Sequence, residues 1–516
     1  VVFPHGHWTD ARFLYQPDKY VREEIATGQE RFEEGGHSRF QSMCVQLARM
    51  GCVAWQIDAL SDSDSKQFSP EVIHKFAKQR PEMNRAEGWG LYSPQAEANL
   101  QSVMGLQTLN SIRSVDFLLT LPEVDPKRLA VTGSSGGGTQ TMLLAAADPR
   151  IALSYPVVMV STSMQGGCTC ENAVGLRVNT GNVEIAALTA PRPLGVNAAN
   201  DWTKDMAKDG FPELKKLYGL YNIPDAVTLH NATHFPHNYN HVTRVPMYSF
   251  MNRLFGLKLE EPILERDFQV LKDVDMTVWD EPHPKPPSGI EFEADLLTRW
   301  ANDVAAKVQA SPEIRQTGWK TILQPANQIA KTLTVTDATI EDGVTTVRVL
   351  NADGKNVGLV KIKRSGDGKI QLKLDSDYRN NEPVQPGQAV FAVDDAWGID
   401  VAAKEQSLVK NPRPAACYTY GYNPSLFVRK LAVILALLDS PQSKEVSGSE
   451  WSGAGSFGPM IDAAKVLRPK TIQGPSQAPG YDFSSVTSIR DPNFLPGALR
   501  FGNSSGLHTT ASELSK

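Results

Sequence analysis

A serine between glycines is the residue best suited to nucleophilic chemistry in this 516-residue chain. Ser135 stands at the centre of a G-x-S-x-G pattern, which an apolar segment precedes and a longer apolar segment follows. This arrangement predicts a strand, a sharp turn and a helix, in which the turn exposes the serine hydroxyl. The helix start presents free N–H groups and the positive end of its dipole to a reacting oxygen. The pattern therefore predicts a nucleophile, Ser135, and one oxyanion donor, the backbone N–H of Gly136.

Two other serines have similar neighbours, and their context argues against a catalytic role. Ser504 also fits G-x-S-x-G, but no clean strand precedes it and the helix start that follows is weak. Ser452 lies at an elbow-like position in the second half of the chain. It lacks the small residue that should precede it, and no acid and histidine follow at the expected places. We expect both serines to be inactive.

A catalytic serine needs a base, and the base needs an acid that orients it. In sheets of this kind the chain order is serine, acid, histidine, with the acid after a strand. Asp201 fits, since it follows the apolar run Leu194 to Ala199. Its rival Asp205 is expected inside the next helix. A helix N-cap is the alternative role for Asp201.

Four histidines surround the loop after the last predicted strand of this half: His230, His234, His237 and His241. His230 is expected in the strand and His241 one turn into the following helix. We favour His237 as the base, because it immediately precedes that helix, and keep His234 as the alternative. The cluster could instead bind a metal ion, but no spaced carboxylate accompanies it.

A second oxyanion donor is expected from the loop after the first strand. The sequence Pro4-His5-Gly6-His7-Trp8 contains a His-Gly turn that would let the backbone N–H of His7 face the serine. The alternative is an ordinary turn glycine. Elsewhere, Cys168-Thr169-Cys170 could be a metal or redox pair, but the spacing is C-x-C and no second pair follows. We favour a structural role for these two cysteines.

Composition excludes several classes of protein. The net charge of −5 and the pI near 6.1 give no electrostatic case for binding nucleic acid or an anionic membrane. The longest apolar run, Leu431 to Leu438, is too short to span a bilayer. Five cysteines are an odd and sparse set, which argues against a disulfide framework. The sequence leaves the compartment open, with a secreted or periplasmic location as the working expectation.

The pattern of apolar runs and helical segments divides the chain into three parts. Residues 1–258 alternate apolar runs with helical patterns, which predicts a mostly parallel, doubly wound sheet whose ligand site lies at the carboxyl ends of the strands. Residues 259–290 are predicted to be a proline-rich linker. Residues 291–516 read as a second, degenerate copy of the first α/β region, with an unrelated accessory domain as the alternative. Its signals are a strand that ends in acids, Gln388 to Gly398, and three Asp-Gly hairpin turns at residues 342–343, 353–354 and 367–368.

Taken together, these segments resemble the α/β-hydrolases of the acetyl xylan esterase and cephalosporin-C deacetylase type, in particular their large bacterial members. The resemblance covers residues 1–258 well and the remainder loosely, so the second region would be a degenerate α/β-hydrolase-like domain. It implies a serine esterase that removes acetyl groups from carbohydrate or small esters, with no metal or cofactor. The chain departs from the family in two ways: the strands that should precede Val1 are absent, and the second half adds a region that most members lack. Four segments carry the resemblance: Val124 to Gly137, Pro4 to Trp8, Ala190 to Leu194 with Asp201, and His237 to Asn240.

Two other functions stay open at this point. One is a glucuronoyl or aromatic-ester esterase on the same fold, which arginines near the pocket would favour because they could bind a uronate. The other is a catalytically inactive pseudo-hydrolase that binds glycans. In each case the expected partner is a small-molecule or polysaccharide ester, and the oligomeric state is undetermined.

Overall fold

Ser135 follows a strand near the middle of a parallel sheet. The computed structural model describes residues 1–74, 78–365, 371–375, 383–393, 399–400, 405–409, 413–453, 455, 457–472 and 480–515. Within these ranges the sheet has six strands: β1 Val2–Pro4, β2 Trp55–Ile57, β3 Ala130–Ser134, β4 Leu153–Val157, β5 Leu194–Ala198 and β6 Val227–Asn231. Their order is β2-β1-β3-β4-β5-β6, and every neighbouring pair is parallel. The order and the parallel pairing are those of an α/β-hydrolase sheet, as the sequence predicts.

Helices connect these strands and make up much of the remaining chain. The described α-helices are α1 Asp18–Ala26, α2 Glu33–His37, α3 Arg39–Arg49, α4 Pro70–Ile73, α5 Pro94–Ala98, α6 Val103–Leu118, α7 Gly136–Ala147, α8 Asn182–Ala187, α9 Phe211–Leu220, α10 His241–Phe255, α11 Asp273–Met276, α12 Ile290–Ala310, α13 Pro312–Leu323, α14 Pro325–Ala330, α15 Ala416–Thr419, α16 Leu426–Asp439, α17 Phe457–Leu467 and α18 Asn503–Leu514. Short 3-10 helices occur at Ala11–Phe13, Pro81–Met83, Thr169–Glu171, Pro224–Ala226, Pro441–Glu445 and Phe483–Ser485.

The sheet is buried on both faces, which explains why its strands are nearly continuous apolar runs. All five residues of β3, β4 and β5 are buried. Successive side chains of a strand point to opposite faces. Thus Phe3 packs in a cluster with Phe40 of α3, whereas Val2 packs in a second cluster with Leu144 of α7. Two helical layers therefore fix the sheet from either side and hold the carboxyl ends of its strands in place.

The elements predicted for residues 1–258 occur close to their expected places. The apolar run Leu194 to Ala199 forms β5, Leu194–Ala198, and the segments before and after Ser135 form β3 and α7. His230 lies in β6, as expected. His241 is the first residue of α10 rather than one turn inside it.

The remaining strands form a mixed sheet. Within the described residues its seven strands are β7 Thr334–Val335, β8 Thr339–Glu341, β9 Val344–Leu350, β10 Asn356–Lys363, β11 Gln371–Asp375, β12 Gln388–Val393 and β15 Glu450–Gly453, while β13 Ile399–Asp400 and β14 Glu405–Gln406 form a separate pair. The order is β15-β11-β12-β10-β9-β7, with β8 on β9. Only the β15-β11-β12 part is parallel; the other pairs are antiparallel. The second region is therefore α/β in content, with a mixed sheet instead of a mostly parallel one.

The predicted hairpin turns explain the antiparallel part of this sheet. Asp342-Gly343 joins β8 to β9, and Asp353-Gly354 lies between β9 and β10. Asp342, Gly343 and Gly354 have positive φ angles, as tight hairpins require. The third turn, at 367–368, and the acids expected at the end of β12, at 394–395, lie outside the described residues.

The chain divides into two structural units whose boundaries differ from the predicted domains. Unit 1 comprises residues 1–77, 102–173 and 179–292, and unit 2 comprises 78–101, 174–178 and 293–516. Two excursions from the first half therefore belong to unit 2. The first of these, residues 78–101, is held by buried Glu293, which pairs with Arg80 at 2.6 Å and accepts the backbone N–H of Leu91 at 2.7 Å. Contacts between segments that are far apart in the chain produce no periodic pattern in the sequence. Domain boundaries predicted from such patterns therefore do not include these two segments in unit 2.

The predicted linker, 259–290, packs as part of unit 1. The Trp279 indole N–H donates to the carbonyl of Asp64 at 2.9 Å, and the backbone N–H of Gly289 donates to Gln67 at 3.2 Å. Within the described residues, no helix combines the length and the apolar character that a membrane crossing needs.

Glu97 lies in the segment 78–101 of unit 2, and its buried carboxyl should make the stability of the protein depend on pH. Burial raises the pKa of its carboxyl from 4.5 to about 8. The folded chain therefore keeps a proton that the unfolded chain releases, and the free energy of unfolding falls as the pH rises from 4.5 towards about 8. We expect Glu97→Gln to match the wild-type Tm near about pH 5 and to exceed it by about 2 °C or more near about pH 9.

The control for this experiment is Glu82→Gln, because the side chain of Glu82 is 70% exposed. It should leave Tm unchanged at both pH values. A Tm difference for Glu97→Gln that does not vary with pH would contradict the assignment of a buried, protonated carboxyl.

Candidate active site

The turn between β3 and α7 places Ser135 in a strained backbone conformation, with φ 58° and ψ −125°. Such strain is typical of a nucleophile elbow, which projects the serine from the carboxyl end of the strand. The turn requires glycine on both sides of the serine, because β1 approaches closely. A Cβ atom on Gly133 or on Gly137 would lie 2.2 Å from the carbonyl oxygen of Pro4.

An aspartate and a histidine from two neighbouring loops meet near this edge of the sheet. His237 Nδ1 lies 2.7 Å from Asp201 Oδ2, and the Asp201 carboxylate is 5% exposed. The other carboxylate oxygen accepts the backbone N–H and the hydroxyl of Thr203, at 2.7 and 2.5 Å. Asp201 is therefore fully engaged as an acceptor, and it orients the His237 ring through Nδ1.

The other candidates for these two positions lie elsewhere. His234 is exposed, and its ring contacts that of Phe235, 4.2 Å away between centroids. His241 pairs with Glu265 at 2.9 Å. Asp205 is exposed. The structure thus brings Asp201 and His237 together. Within the described residues no hydrogen bond joins Ser135 to His237.

Backbone hydrogen bonds tie the acid loop to the histidine loop. The N–H of Asn200 donates to the carbonyl of Phe235 at 2.8 Å, and the N–H of Ala232 donates to Ala198 at 2.9 Å. The Trp202 ring packs against the His237 ring, with centroids 4.7 Å apart. The position of His237 therefore depends on both loops.

A buried ion cluster anchors the helix that follows His237. Arg244 of α10 is fully buried and pairs with Glu265 at 2.6 Å and with Glu30 at 2.9 Å. It also donates to the carbonyl of Tyr239 at 2.8 Å, two residues after His237. The positive charge of Arg244 helps to hold the pKa of the Glu265 carboxyl far below its usual value, although burial opposes this. The cluster fixes the downstream end of the histidine loop.

The loop after β1 lies against Ser135. A Cβ atom on Gly6 would lie 2.9 Å from the Cβ of Ser135. The carbonyl of Gly6 accepts the backbone N–H of Trp8 at 2.9 Å and faces His5 Nδ1 at 2.7 Å. In a trans peptide the N–H points opposite to the carbonyl, so the His7 N–H points away from these partners. Within the described residues it makes no hydrogen bond, and the N–H of Gly136, at the first position of α7, has no partner inside the helix.

His5 sets the orientation of this peptide. It is buried, and its Nε2 accepts the backbone N–H of Ala59 at 3.0 Å, so the ring is neutral and its proton lies on Nδ1. Burial lowers the pKa of His5 from its ordinary value, which agrees with a neutral ring. The Nδ1–H therefore donates to Gly6 and holds the Gly6–His7 peptide.

We expect His5→Ala to lower kcat for ester hydrolysis by about 10- to 100-fold with a smaller effect on KM, because the backbone N–H of His7, the candidate oxyanion donor, would lose its fixed direction. His5→Asn should restore part of kcat, since its side-chain N–H₂ can reach the carbonyl of Gly6. Circular dichroism and Tm of both variants control for misfolding. Equal losses in the alanine and asparagine variants would contradict the positioning role.

The cysteine pair lies beside the elbow with two histidines. His7 Nε2 is 2.9 Å from Cys170 Sγ, and His74 Nδ1 is 3.8 Å from Cys168 Sγ. Hydrogen bonds from Cys170, His7 and His74 hold the pKa of Cys168 far below its ordinary value despite burial, and the pKa of Cys170 is raised. Burial lowers the pKa of His7, but its contacts with Cys168 and Glu171 raise it above the usual value.

Sequence reasoning missed this cluster, in which the ligand atoms of His7, His74, Cys168 and Cys170 lie within 4.8 Å of one another. The C-x-C spacing was visible, and so was the histidine beside the predicted oxyanion turn. No local pattern connects His74 to them, because it lies 94 residues before Cys168. Only the three-dimensional structure brings the three segments together.

The two serines set aside from the sequence occupy structural positions. Ser504 is buried at the start of α18, and its hydroxyl donates to the carbonyl of Tyr481 at 2.5 Å. Ser452 lies within β15, and its hydroxyl points to the carbonyl of Leu372 at 3.5 Å. Neither serine stands at a strand-to-helix turn like that of Ser135.

Several solved esterase structures resemble part of this chain. A methylesterase shares 25% identity over 60% of this chain and 61% of its own, with a TM-score of 0.42. The glucuronoyl esterase from Solibacter usitatus shares 14% identity over 49% of this chain and 72% of its own, with a TM-score of 0.32. A Bacteroides fragilis protein proposed to be an acetyl xylan esterase shares 13% identity over 45% of this chain and 59% of its own, with a TM-score of 0.30.

All three proteins are named as esterases, as are the proteins that the sequence resembles. The chain spans about three fifths of the length of the methylesterase that it matches. No protein-family model and no curated protein sequence matches the chain. The α/β-hydrolase fold is therefore assigned from the strand order and the elbow of this chain itself.

Proposed function

We propose that this chain is a serine carboxylester hydrolase with Ser135 as nucleophile, His237 as base and Asp201 as the orienting acid. The observation that carries the proposal is the 2.7 Å contact between Asp201 and His237 at the edge of the sheet where Ser135 occupies a strained elbow. A nucleophile, a base and an orienting acid are the groups that this acyl transfer needs, and the chain order serine, acid, histidine is that of α/β-hydrolases.

The reaction would proceed by acyl transfer to the enzyme and then to water. Ser135 Oγ attacks the ester carbonyl while His237 Nε2 takes its proton, and the His7 and Gly136 N–H groups stabilise the oxyanion. The imidazolium, held by Asp201, protonates the leaving alcohol as the ester C–O bond breaks. Water, deprotonated by His237, then attacks the acyl-serine and releases the acid and Ser135.

Carbohydrate acetyl esters are the proposed substrates. The resemblance to acetyl xylan esterases supports this choice. Glucuronoyl esters, which arginines near the pocket would favour, are the alternative.

Labelling with a fluorophosphonate tests the reaction class, because it modifies only an activated serine. We expect stoichiometric labelling of the wild type at Ser135, located by peptide mass spectrometry, and none in Ser135→Ala. Lack of labelling in folded wild type would favour the glycan-binding pseudo-hydrolase. A panel of p-nitrophenyl esters from acetyl to longer acyl chains, together with acetylated xylan and a methyl glucuronate ester, then distinguishes the substrate classes.

A further inference from the structure

The donor set beside the elbow has the composition of a zinc site. Two thiols and two imidazoles, from Cys168, Cys170, His7 and His74, converge within 4.8 Å of one another. In a tetrahedral zinc site with these bond lengths, the ligand atoms lie about 3.3 to 3.8 Å apart. The widest donor pairs therefore need to close by about 1 Å, and the 2.9 Å between His7 Nε2 and Cys170 Sγ needs to open by about half as much. Thiolate and imidazole donors in equal number favour zinc over harder cations such as magnesium or calcium.

The surroundings of His7 are those of a metal-binding histidine. Its Nε2 faces the cysteines, and its Nδ1 lies 3.5 Å from Glu171 Oε1, a carboxylate that is 4% exposed. Metal-ligating histidines commonly donate their second ring N–H to such a carboxylate, which fixes the tautomer and the ring.

The backbone that carries the donors is held in place. Glu171 Oε2 accepts the backbone N–H groups of Gly167 and Cys168, at 2.5 and 3.0 Å. The Thr169 hydroxyl donates to the carbonyl of Ile73 at 3.0 Å, which ties the cysteine turn to the residue before His74. The two cysteine donors are buried, and these hydrogen bonds connect the segment that carries them to the residue before His74.

We propose that Cys168, Cys170, His7 and His74 form a zinc-binding site with all four ligands supplied by the chain. A closed site of this type stabilises structure and leaves no open position for a substrate. Zinc would bind both cysteines as thiolates. Because His7 also carries the proposed oxyanion N–H, the ion would fix the loop from Gly6 to Trp8 against Ser135. The proposal departs from the resemblance, which implies no metal.

Metal analysis of the full chain tests this site. The protein is purified without chelator and its zinc is measured by plasma mass spectrometry; we expect about one zinc per chain. The double variant Cys168→Ser/Cys170→Ser should contain none. Cys52→Ser is the matched control, since Cys52 lies outside the cluster, and it should keep the wild-type zinc content. Cobalt substituted for zinc should give the thiolate-to-metal charge-transfer absorption of a tetrahedral site in wild type and not in the double variant.

Three results would overturn the proposal. The first is a wild type that binds no more zinc, even after incubation with zinc, than the double variant does. The second is a zinc content that the double variant retains. The third is a mass lower by two hydrogens with a mapped Cys168–Cys170 disulfide. All of these measurements are made without substrate, so their failure leaves the proposed ester hydrolysis untouched, and loss of hydrolysis would leave the metal site untouched.

Discussion

Ser135→Ala should lower ester hydrolysis by roughly 10⁴- to 10⁶-fold while the protein stays folded. The hydroxyl of Ser135 is the proposed attacking group, and the neighbouring serine at the elbow, Ser134, is fully buried. The fold should tolerate the change, because alanine removes one oxygen that makes no hydrogen bond within the described residues. The measurement is kcat/KM on p-nitrophenyl acetate, with Tm and circular dichroism as checks of folding.

Ser452→Ala and Ser504→Ala are the matched controls. Ser452 lies inside a strand and Ser504 donates to a backbone carbonyl, so their hydroxyls serve the structure of unit 2. Both variants should keep wild-type kcat/KM per folded molecule, even if Tm falls. Near wild-type turnover by Ser135→Ala would disprove the assignment of the nucleophile.

His237→Ala should cost about 10⁴-fold in kcat, whereas His234→Ala should change it by no more than about twofold. The physical reason is the contact between His237 and Asp201, which holds one ring in the orientation that a base needs. His234 is exposed and has no acidic partner within the described residues. The two histidines are three residues apart in the same loop, so each variant controls for disturbance of the loop by the other.

A matched pair of aspartate variants tests the proposed acid. Asp201→Asn should lower kcat by about 10⁴-fold because it would favour the wrong tautomer of His237, and Asp205→Asn should leave kcat unchanged. If instead His234→Ala proves the more damaging histidine variant, the base is His234 and the contact between His237 and Asp201 is structural.

The sheet and the elbow could be predicted because their signals are local. Ser135 and its glycines lie within five residues. The buried strands of unit 1 are apolar runs, and such a run can be recognised without knowing which distant segments pack against it. Asp201 is the predicted acid because it follows a strand, the position that the fold class favours for that role, and this role stays a prediction. The choice between His234 and His237 rested only on distance to the next helix, since the sequence contains nothing that shows which ring meets Asp201.

Features that depend on distant residues could not be predicted. The role of His5 requires Ala59 to cap its ring, and the cysteine cluster requires His74, which the sequence places far from both cysteines. The same reason explains the second sheet. Two Asp-Gly turns indicated hairpins, but the parallel pairing of β11 with β15 joins strands about 80 residues apart, which no repeat or period marks.

The interleaving of the two units has a consequence for biosynthesis. Residues 78–101 leave the ribosome early, yet Glu293, which holds Arg80 and Leu91, is made much later. During that interval the apolar residues of this segment, among them Leu91 and Ala96, lack the surroundings that bury them. A nascent chain that ends before Glu293 should therefore recruit chaperones, and no single cut of the gene separates two independently folding halves. Expression of either unit alone would need a redesigned connection, not a truncation.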